Sequence, residues 1–218
     1  GWFKENPNEL CDTVRHLTDD TLFQPGADAI KFFFRRVGVI SGFIVNAEKA
    51  KKLSSDLFDG RLYYQMYLAG MLMAEGQGYY FSDVMTLSRD TEAPDFGNAG
   101  TEKGVFTPGG YKPEGRIHMV EGLLLIAKYI EDTTKIDGVY AGIRKDLANY
   151  FYPYIRDQLD LPLYTYIKMI NKFRKMGFSN EKLFYVHAFL GYVLKRRGYD
   201  ALIKYIRSKK GGTPRLGI

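Results

Sequence analysis

Residues 37–89 hold the pattern that most constrains the fold, because short apolar runs alternate there with helical spacing. Residues 39–45 form an apolar, β-branched run between Gly38 and Asn46, which favours a strand over a helix of the same length. Residues 79–86 supply a second run of aromatic and β-branched residues. The sequence therefore predicts that these two runs are neighbouring strands of one sheet.

Two helices are predicted between those strands. Asn46 can cap the first helix, which carries an acid in its first turn and lysines toward its end. Residues 58–60 (FDG) break the pattern, and residues 61–74 resume it with apolar side chains at helical spacing. Gly76 and Gly78 end this second helix.

The segment before residue 37 predicts two further helices. Asn8 is a candidate cap for a helix that runs to Leu17. Residues 26–36 predict a helix whose inward side chains are Ile30, Phe33 and Phe34, and this helix leads into the first strand.

The chain from residue 116 to residue 218 predicts helices throughout. Apolar side chains recur there at helical spacing, and proline or glycine marks the joints. These joints are Pro153, Pro162, Gly177 and Gly198. The fold class expected from these patterns lies between α/β and mainly α, with few strands first and helices after them.

The order of elements resembles the acceptor-side half of a bacterial family 2 glycosyltransferase with the GT-A fold. The motifs that carry the resemblance are SGFIVN at 41–46, the G-x-x-x-Y spacing at 76–80, the segment 95–109 and the closing TPRLG at 213–217. The last two are typical of members that build surface polysaccharides. The resemblance implies a remnant of a mixed GT-A sheet in residues 1–115 and a basic helical subdomain in residues 116–218.

The resemblance also implies a function. Such an enzyme, expected to be inverting, transfers a sugar from a nucleotide-sugar donor to a cell-surface polysaccharide or a lipid-linked glycan. The intact enzyme uses Mg²⁺ or Mn²⁺, whose ligands are not expected in this chain, since Asp19 and Asp20 follow a polar segment and are interpreted as turn residues. The chain is thus expected to be a fragment without the donor site that is inactive alone.

The catalytic base of an inverting transfer is a carboxylate that takes a proton from the acceptor hydroxyl. The family places Glu-Asp where this sequence has Tyr64 and Gln65. Asp59 is therefore the first candidate base and Asp56 the second, although Asp59 is equally suited to a turn beside Gly60. Arg61 and Gln65 are candidate contacts for acceptor hydroxyls, or ordinary helix surface residues.

Residues 90–115 are too long and too rich in Gly and Pro for a simple connection. Basic residues in and beside this loop are candidates for holding a diphosphate or an acidic acceptor, and a surface loop with scattered charges is the alternative. These candidates are Arg89, Lys103, Lys112 and Arg116, with His118 at the start of the next helix.

Charge is distributed unevenly along the chain. Residues 161–218 carry 13 of the 31 basic residues and two of the 25 acidic ones, so the tail is net +11 and the rest is net −5. The tail is predicted to contact an anionic membrane surface, and ordinary packing of a helical subdomain is the alternative explanation of its mixed aromatic and basic residues. No nucleic acid is expected as a partner, because no base-reading motif is present. The alternative function is a non-catalytic helical binding module whose basic end contacts an anionic partner.

The location follows from the cysteine content and from the predicted membrane contact. Cys11 is a single cysteine, which excludes an internal disulfide and fits a reducing compartment. We therefore expect a cytoplasmic protein that attaches peripherally to the inner face of the cell membrane.

Overall fold

A computed structural model of the chain describes residues 2–13, 15–38, 40–89 and 111–210. The fold is mainly α-helical. The helices are α1 Ala27–Arg36, α2 Ala47–Lys52, α3 Tyr64–Glu75, α4 Pro113–Thr134, α5 Val139–Asn149, α6 Tyr152–Ile155, α7 Leu163–Lys175 and α8 Lys182–Lys210. Short 3₁₀ turns follow α6 and α7, at Arg156–Gln158 and Phe178–Asn180.

The strands are short and form two small sheets. In chain order they are β1 Trp2–Phe3, β2 Leu10–Asp12, β3 Thr21–Phe23, β4 Gly78–Tyr80 and β5 Ser88–Arg89. The order of the first sheet is β2-β1-β5, with β1 antiparallel to β2 and parallel to β5. In the second sheet β3 runs antiparallel to β4, and Leu22 faces Tyr79 in the register.

The predicted pairing of residues 39–45 with residues 79–86 is wrong. Residues 40–46 form irregular chain, and within 79–86 only the first two residues belong to a strand, β4, which pairs with β3 instead. Ile40 and Ile44 are 68% and 90% exposed, and Phe43 is partly buried against the core. An apolar run becomes a strand only when another strand binds its backbone, and the sequence of the run alone does not supply that partner.

The predicted helix from Asn8 to Leu17 is also wrong. Residues 6–9 make a tight turn, in which the Asn6 side chain accepts a hydrogen bond from the backbone N–H of Asn8 and the Asn6 carbonyl oxygen accepts one from Glu9. This turn returns the chain so that β2 pairs with β1. The short polar side chain that favours a helix cap favours a turn equally, and here the strand pairing decides between them.

The helices predicted between residues 26 and 76 are present. Of the three side chains predicted to face inward on α1, Ile30 and Phe34 are buried and Phe33 is partly buried against the core. The Asn46 side chain caps α2 by accepting the Lys49 N–H at 2.9 Å. Helix α3 begins three residues later than predicted, at Tyr64, and ends before Gly76.

One hydrophobic core extends from α1 to α8. Gly70 on α3 permits a close approach to α4, because a Cβ placed there would lie 2.2 Å from Cδ1 of the buried Ile130. A salt bridge of 2.7 Å between Arg35 and Asp146 ties α1 to α5. The elements before and after residue 115 therefore share one core.

The C-terminal helices close around a cluster of phenylalanine rings. Phe151 contacts Phe173, Phe178 and Phe184 with ring centroids 4.8 to 5.1 Å apart in edge-on arrangements. Gly177, with φ at 110°, ends α7 as the sequence predicts. Helix α8 bends at Lys195, where φ and ψ are 56° and 175°, three residues before the predicted joint at Gly198.

Candidate functional site

A cavity of about 700 Å³ lies between α1, the irregular segment 41–46, the end of α3 and residues 76–88. Its walls are mainly apolar and aromatic. A large apolar pocket with a few polar groups is the usual form of a small-molecule site. Side chains on its walls include Phe32, Phe33, Phe43, Val45, Leu72, Met73, Tyr79, Tyr80, Phe81 and Met85.

Arg36, at the last position of α1, is the half-buried cation of this cavity. Its Nη1 donates a hydrogen bond of 2.7 Å to the Phe32 carbonyl oxygen, and its guanidinium lies 4.2 Å from the centroid of the Phe32 ring. Its Nε is buried without a hydrogen-bond partner among the described residues, and no described carboxylate forms a salt bridge with it. Burial, and then the charge of Arg35, lower the pKa of Arg36 below its ordinary value.

The neighbouring Arg35 serves a different purpose, because its guanidinium is committed to Asp146. Two consecutive arginines at the end of α1 thus have separate roles. Arg35 stabilises the packing of α1 against α5, and Arg36 offers positive charge to whatever occupies the cavity.

His16 lines the same cavity as a neutral side chain. Burial lowers its pKa to about 4, and the charges of Arg36 and Arg35 act in the same direction. Its ring meets the edges of Phe32 and Tyr80 at centroid distances of 6.5 and 6.1 Å, while its backbone N–H donates to the Tyr80 hydroxyl. His16 therefore contributes a polar but uncharged wall at neutral pH.

Two more ionisable side chains, Lys49 and Asp83, line the cavity, and both are exposed to solvent. Their opposite charges offset one another. Since Arg35 is neutralised by Asp146, the remaining charge of the cavity is the positive charge of Arg36.

The structure brings two of the predicted acceptor and phosphate residues together outside the cavity. Arg61 lies beside His118, with Nη1 3.0 Å from the histidine Nδ1, and it donates a hydrogen bond of 2.9 Å to Glu121. The His118 ring also lies 3.3 Å from the Gly60 carbonyl oxygen, so this cluster sits against the FDG turn. Sequence reasoning missed Glu121, although it falls one helical turn after His118 on α4.

The two candidate bases are exposed residues of one turn. The backbone N–H of Asp59 donates to the carbonyl oxygen of Asp56 at 3.1 Å. Neither carboxylate lines the cavity. Gln65, also outside the cavity walls, donates a hydrogen bond of 2.9 Å from its side chain to the Gly38 carbonyl oxygen. Gln65 thus fixes the start of the irregular segment that forms one wall of the cavity.

The remaining predicted phosphate ligands lie apart. Arg89 bonds to the Lys4 carbonyl oxygen and to Glu5 in the first sheet, and Lys112 is an exposed residue just before α4. Lys103, together with the rest of residues 90–110, lies outside the described residues.

Arg116 is 1% exposed and is therefore part of the core. It forms a salt bridge of 2.5 Å with Asp157, and its guanidinium lies 3.9 Å from the centroid of the Tyr111 ring. This charged contact inside the core holds α4 to the turn after α6. A ligand in solvent cannot reach the Arg116 side chain.

Sequence reasoning also missed Arg36 and His16. The available signal was the pair of arginines at the end of the predicted helix 26–36, but the sequence does not show that Asp146 pairs with Arg35 rather than Arg36. His16 carried no signal, because it joins the cavity only through the pairing of β3 with β4.

Comparison of the chain with protein-family models, with curated protein sequences and with solved structures found no match. No group of three or more His, Cys, Asp or Glu side chains in the described part of the chain is arranged to hold a metal ion. Among the described residues, no helix has the length and apolar character needed to cross a membrane.

Proposed function

We propose that this chain is the acceptor-binding part of an inverting glycosyltransferase that is related to the GT-A-fold enzymes. The reaction passes a sugar from a nucleotide-sugar donor to a lipid-linked or cell-surface glycan. One observation carries the proposal: residues 41–46 and 76–80, two motifs on which the family resemblance depends, line the same cavity although they lie some 30 residues apart in sequence.

The chemistry of the cavity suits a lipid-linked acceptor. Apolar and aromatic walls favour the lipid portion of such a molecule, because burying apolar surface is favourable in proportion to its area. Arg36 adds a guanidinium beside those walls, and guanidinium groups recognise phosphate through directed hydrogen bonds. An apolar chain joined to a diphosphate and a glycan combines both requirements in one ligand.

The polar cluster of Arg61, His118 and Glu121 is a second set of groups for the glycan. In the proposed reaction an acceptor hydroxyl attacks the anomeric carbon, the base takes its proton, and the nucleoside diphosphate leaves. Asp59 remains our candidate for the base and Asp56 the second candidate, because both lie in the turn next to Arg61 and are open to solvent. In this proposal the donor and its Mg²⁺ or Mn²⁺ bind to a part of the enzyme other than the described residues of this chain.

Binding of a soluble glycolipid tests the proposal directly. The probe is a short prenyl diphosphate carrying a disaccharide, titrated into the chain and followed by calorimetry, with the free disaccharide and a panel of nucleotide sugars as comparisons. We expect the glycolipid to bind, the nucleotide sugars not to be turned over, and Arg36→Gln to weaken glycolipid binding about tenfold or more, since a hydrogen bond to a charged group is worth about 1.5–3 kcal/mol.

Arg36→Lys and Lys52→Gln provide the matched controls. The first keeps the charge and should retain part of the affinity, while the second removes one exposed charge of α2 away from the cavity and should leave affinity unchanged. Failure of the glycolipid to bind, or equal affinity in Arg36→Gln and Lys52→Gln, would overturn the assignment of the cavity. Sugar transfer by this chain alone would overturn the acceptor-only assignment.

The alternative, a non-catalytic helical module with a basic binding end, is favoured by one separate observation. The two acids of the tail, Glu181 and Asp200, pair with Arg144 and Arg156, which lie before the tail. The tail's own positive charge is therefore left for an external partner. Loss of glycolipid binding together with retained binding of an anionic partner would favour this module.

A further inference from the structure

Helix α8 presents an apolar stripe to solvent. The stripe consists of Leu183, Val186, Phe189 and Val193, which follow one another every three or four residues and so lie on one face of the helix. Phe189 and Val193 are 67% and 58% exposed. On the side of α8 that packs inward, Phe184 and Ala188 are buried. The stripe is thus additional to the apolar surface that the core uses.

More apolar side chains are exposed at the start of α7. Leu163, Tyr164 and Ile167 lie within its first turn and a half, and Tyr164 is among the most exposed large side chains of the chain's described part. Helices α7 and α8 contact one another, since the Tyr166 hydroxyl donates to the Ala188 carbonyl oxygen at 2.8 Å. The exposed apolar groups of α7 therefore belong to the same end of the molecule as the stripe.

The exposed charged side chains that the structure describes on α7 and α8 are all basic, while the exposed Asp160 lies three residues before α7. Basic side chains on both helices are exposed, and none of them forms a salt bridge with any carboxylate in the described ranges. These side chains are Lys168, Lys172, Arg174, Lys175, Lys182, Arg196, Arg197 and Lys204.

The tail's two acids do not offset this charge. Glu181 lies 3.5 Å from Arg144 on α5, and Asp200 accepts hydrogen bonds from Arg156 and Tyr152. Burial alone would raise the pKa of Asp200, but these hydrogen bonds lower it below the ordinary value, so the carboxylate is ionised and already satisfied. The positive charge of α7 and α8 consequently extends into solvent.

We propose that α7 and α8 dock on the surface of an anionic lipid bilayer, with the stripe at the boundary between headgroups and acyl chains. Exposed aliphatic and aromatic side chains beside lysines and arginines are the features of helices that lie in that boundary. Each basic residue near an anionic surface contributes about fivefold to binding, so four of the eight suffice for reversible attachment.

Two other partners fit the surface less well. A second copy of the chain would bring two strongly positive tails together, and that repulsion opposes self-association through this face. A nucleic acid would use the basic side chains, but Phe189 is the one ring of the stripe on which a base can stack, and Leu183, Val186 and Val193 would stay uncovered. The bilayer is the partner that uses both the charge and the apolar stripe.

The proposal is independent of the glycolipid site, and its test contains no glycan. The full chain is sedimented with vesicles of phosphatidylcholine alone and with vesicles that contain about one-quarter phosphatidylglycerol, over a series of salt concentrations. We expect binding to the anionic vesicles only, decreasing as salt shortens the screening length to about 8 Å near physiological ionic strength.

Three variants separate the contributions of charge and stripe. Lys168→Gln, Lys172→Gln and Lys175→Gln together should lower the partition coefficient roughly 10- to 100-fold. The double variant Phe189→Ser, Val193→Ser should lower the partition coefficient by a similar factor, because these two side chains then no longer bury apolar surface at the boundary of the bilayer. The control combines Lys51→Gln, Lys52→Gln and Lys145→Gln, which removes the same net charge from exposed positions of α2 and α5 and should leave partitioning within about twofold.

Several outcomes would overturn the proposal. These are equal binding to neutral and anionic vesicles, absence of binding to both, and an equal loss in the control triple variant, which would mean that net charge alone drives attachment. A fourth is displacement from the vesicles by an equimolar oligonucleotide, and a fifth is a stripe variant that changes the oligomeric state but not the vesicle binding. Because the tail variants leave the cavity intact, their failure does not bear on the glycolipid site.

Discussion

The described residues before and after the segment 90–110 are held together in different ways. In residues 111–210 apolar side chains at helical spacing meet in a continuous core, and Phe151 and the three phenylalanine rings around it are fully buried. In residues 40–46 and 81–87 several large apolar side chains remain exposed, with Ile44, Ile40 and Met85 the most open.

The difference follows from where each backbone finds its hydrogen bonds. A helix satisfies its N–H and C=O groups within itself, so it forms wherever an amphipathic face has something to pack on. An extended segment needs a neighbouring strand, and residues 40–46 have none. The cavity lies beside these unpaired segments, and its walls include apolar side chains from both of them.

The largest predicted effect concerns the helical region. Phe151→Ala should lower the free energy of unfolding by about 3–5 kcal/mol, because it opens a void among three other buried rings. Chemical denaturation of the two proteins measures the difference. Ile44→Ala in the irregular segment is the matched control and should change stability by no more than about 0.5 kcal/mol. Similar losses in both variants would mean that the two regions do not differ as described.

A smaller effect is expected at the cavity, in the pH dependence of the free energy of unfolding. The pKa of His16 is about 4 in the folded protein, below the value of about 6.5 in an unfolded chain, so the unfolded state binds more protons between these pH values. The contribution of the neutral His16 side chain to the free energy of unfolding is fully present above about pH 6.5 and is lost as the pH falls toward 4. Between pH 7 and pH 4.5 the loss should be on the order of 2–3 kcal/mol.

His16→Gln isolates this contribution, because glutamine does not titrate. Urea unfolding of both proteins at the two pH values gives the comparison. The variant should lose less stability on acidification than the parent chain does. Identical losses in the two proteins would show that His16 is solvated, and that the cavity wall is more open than the structure indicates.

The smallest predicted effect concerns the contact between α3 and α4, where the two regions share one core. Gly70→Ala should lower the free energy of unfolding by about 1–3 kcal/mol, because its Cβ would overlap the Ile130 side chain. In an Ile130→Val background, which removes the Cδ1 atom, the same substitution should cost less. An unchanged cost in that background would place the strain elsewhere.

The sequence predicted those parts of the fold that local patterns determine. Asn46 caps α2, and Ile30 and Phe34 face inward on α1, because a cap or an amphipathic face is encoded within a few residues. Residues 39–45 were misassigned for the converse reason. Their composition suits a strand, but pairing is a property of distant residues, and β4 found its partner in β3 instead.

The candidate site was predictable to a similar extent. Arg61 was predicted as an acceptor contact and His118 as a phosphate ligand, and the structure places these two side chains next to each other beside Gly60. Arg116 was misjudged as a solvent-facing ligand, because nothing in its neighbourhood along the chain indicates Asp157. Arg36 was missed because it is a candidate ligand only if no carboxylate pairs with it. Only the fold shows that Asp146 pairs with Arg35 instead.

Photo-cross-linking tests the central claim, that the cavity between residues 41–46 and 76–86 holds the acceptor. A prenyl diphosphate disaccharide with a photoreactive group on its lipid portion is irradiated with the chain, and labelled peptides are identified by mass spectrometry. The account predicts labels on Phe43 to Val45 and on Tyr79 to Phe81, reduced by excess unlabelled glycolipid and by Arg36→Gln. Labels confined to α7 and α8, or labels insensitive to competitor, would contradict it.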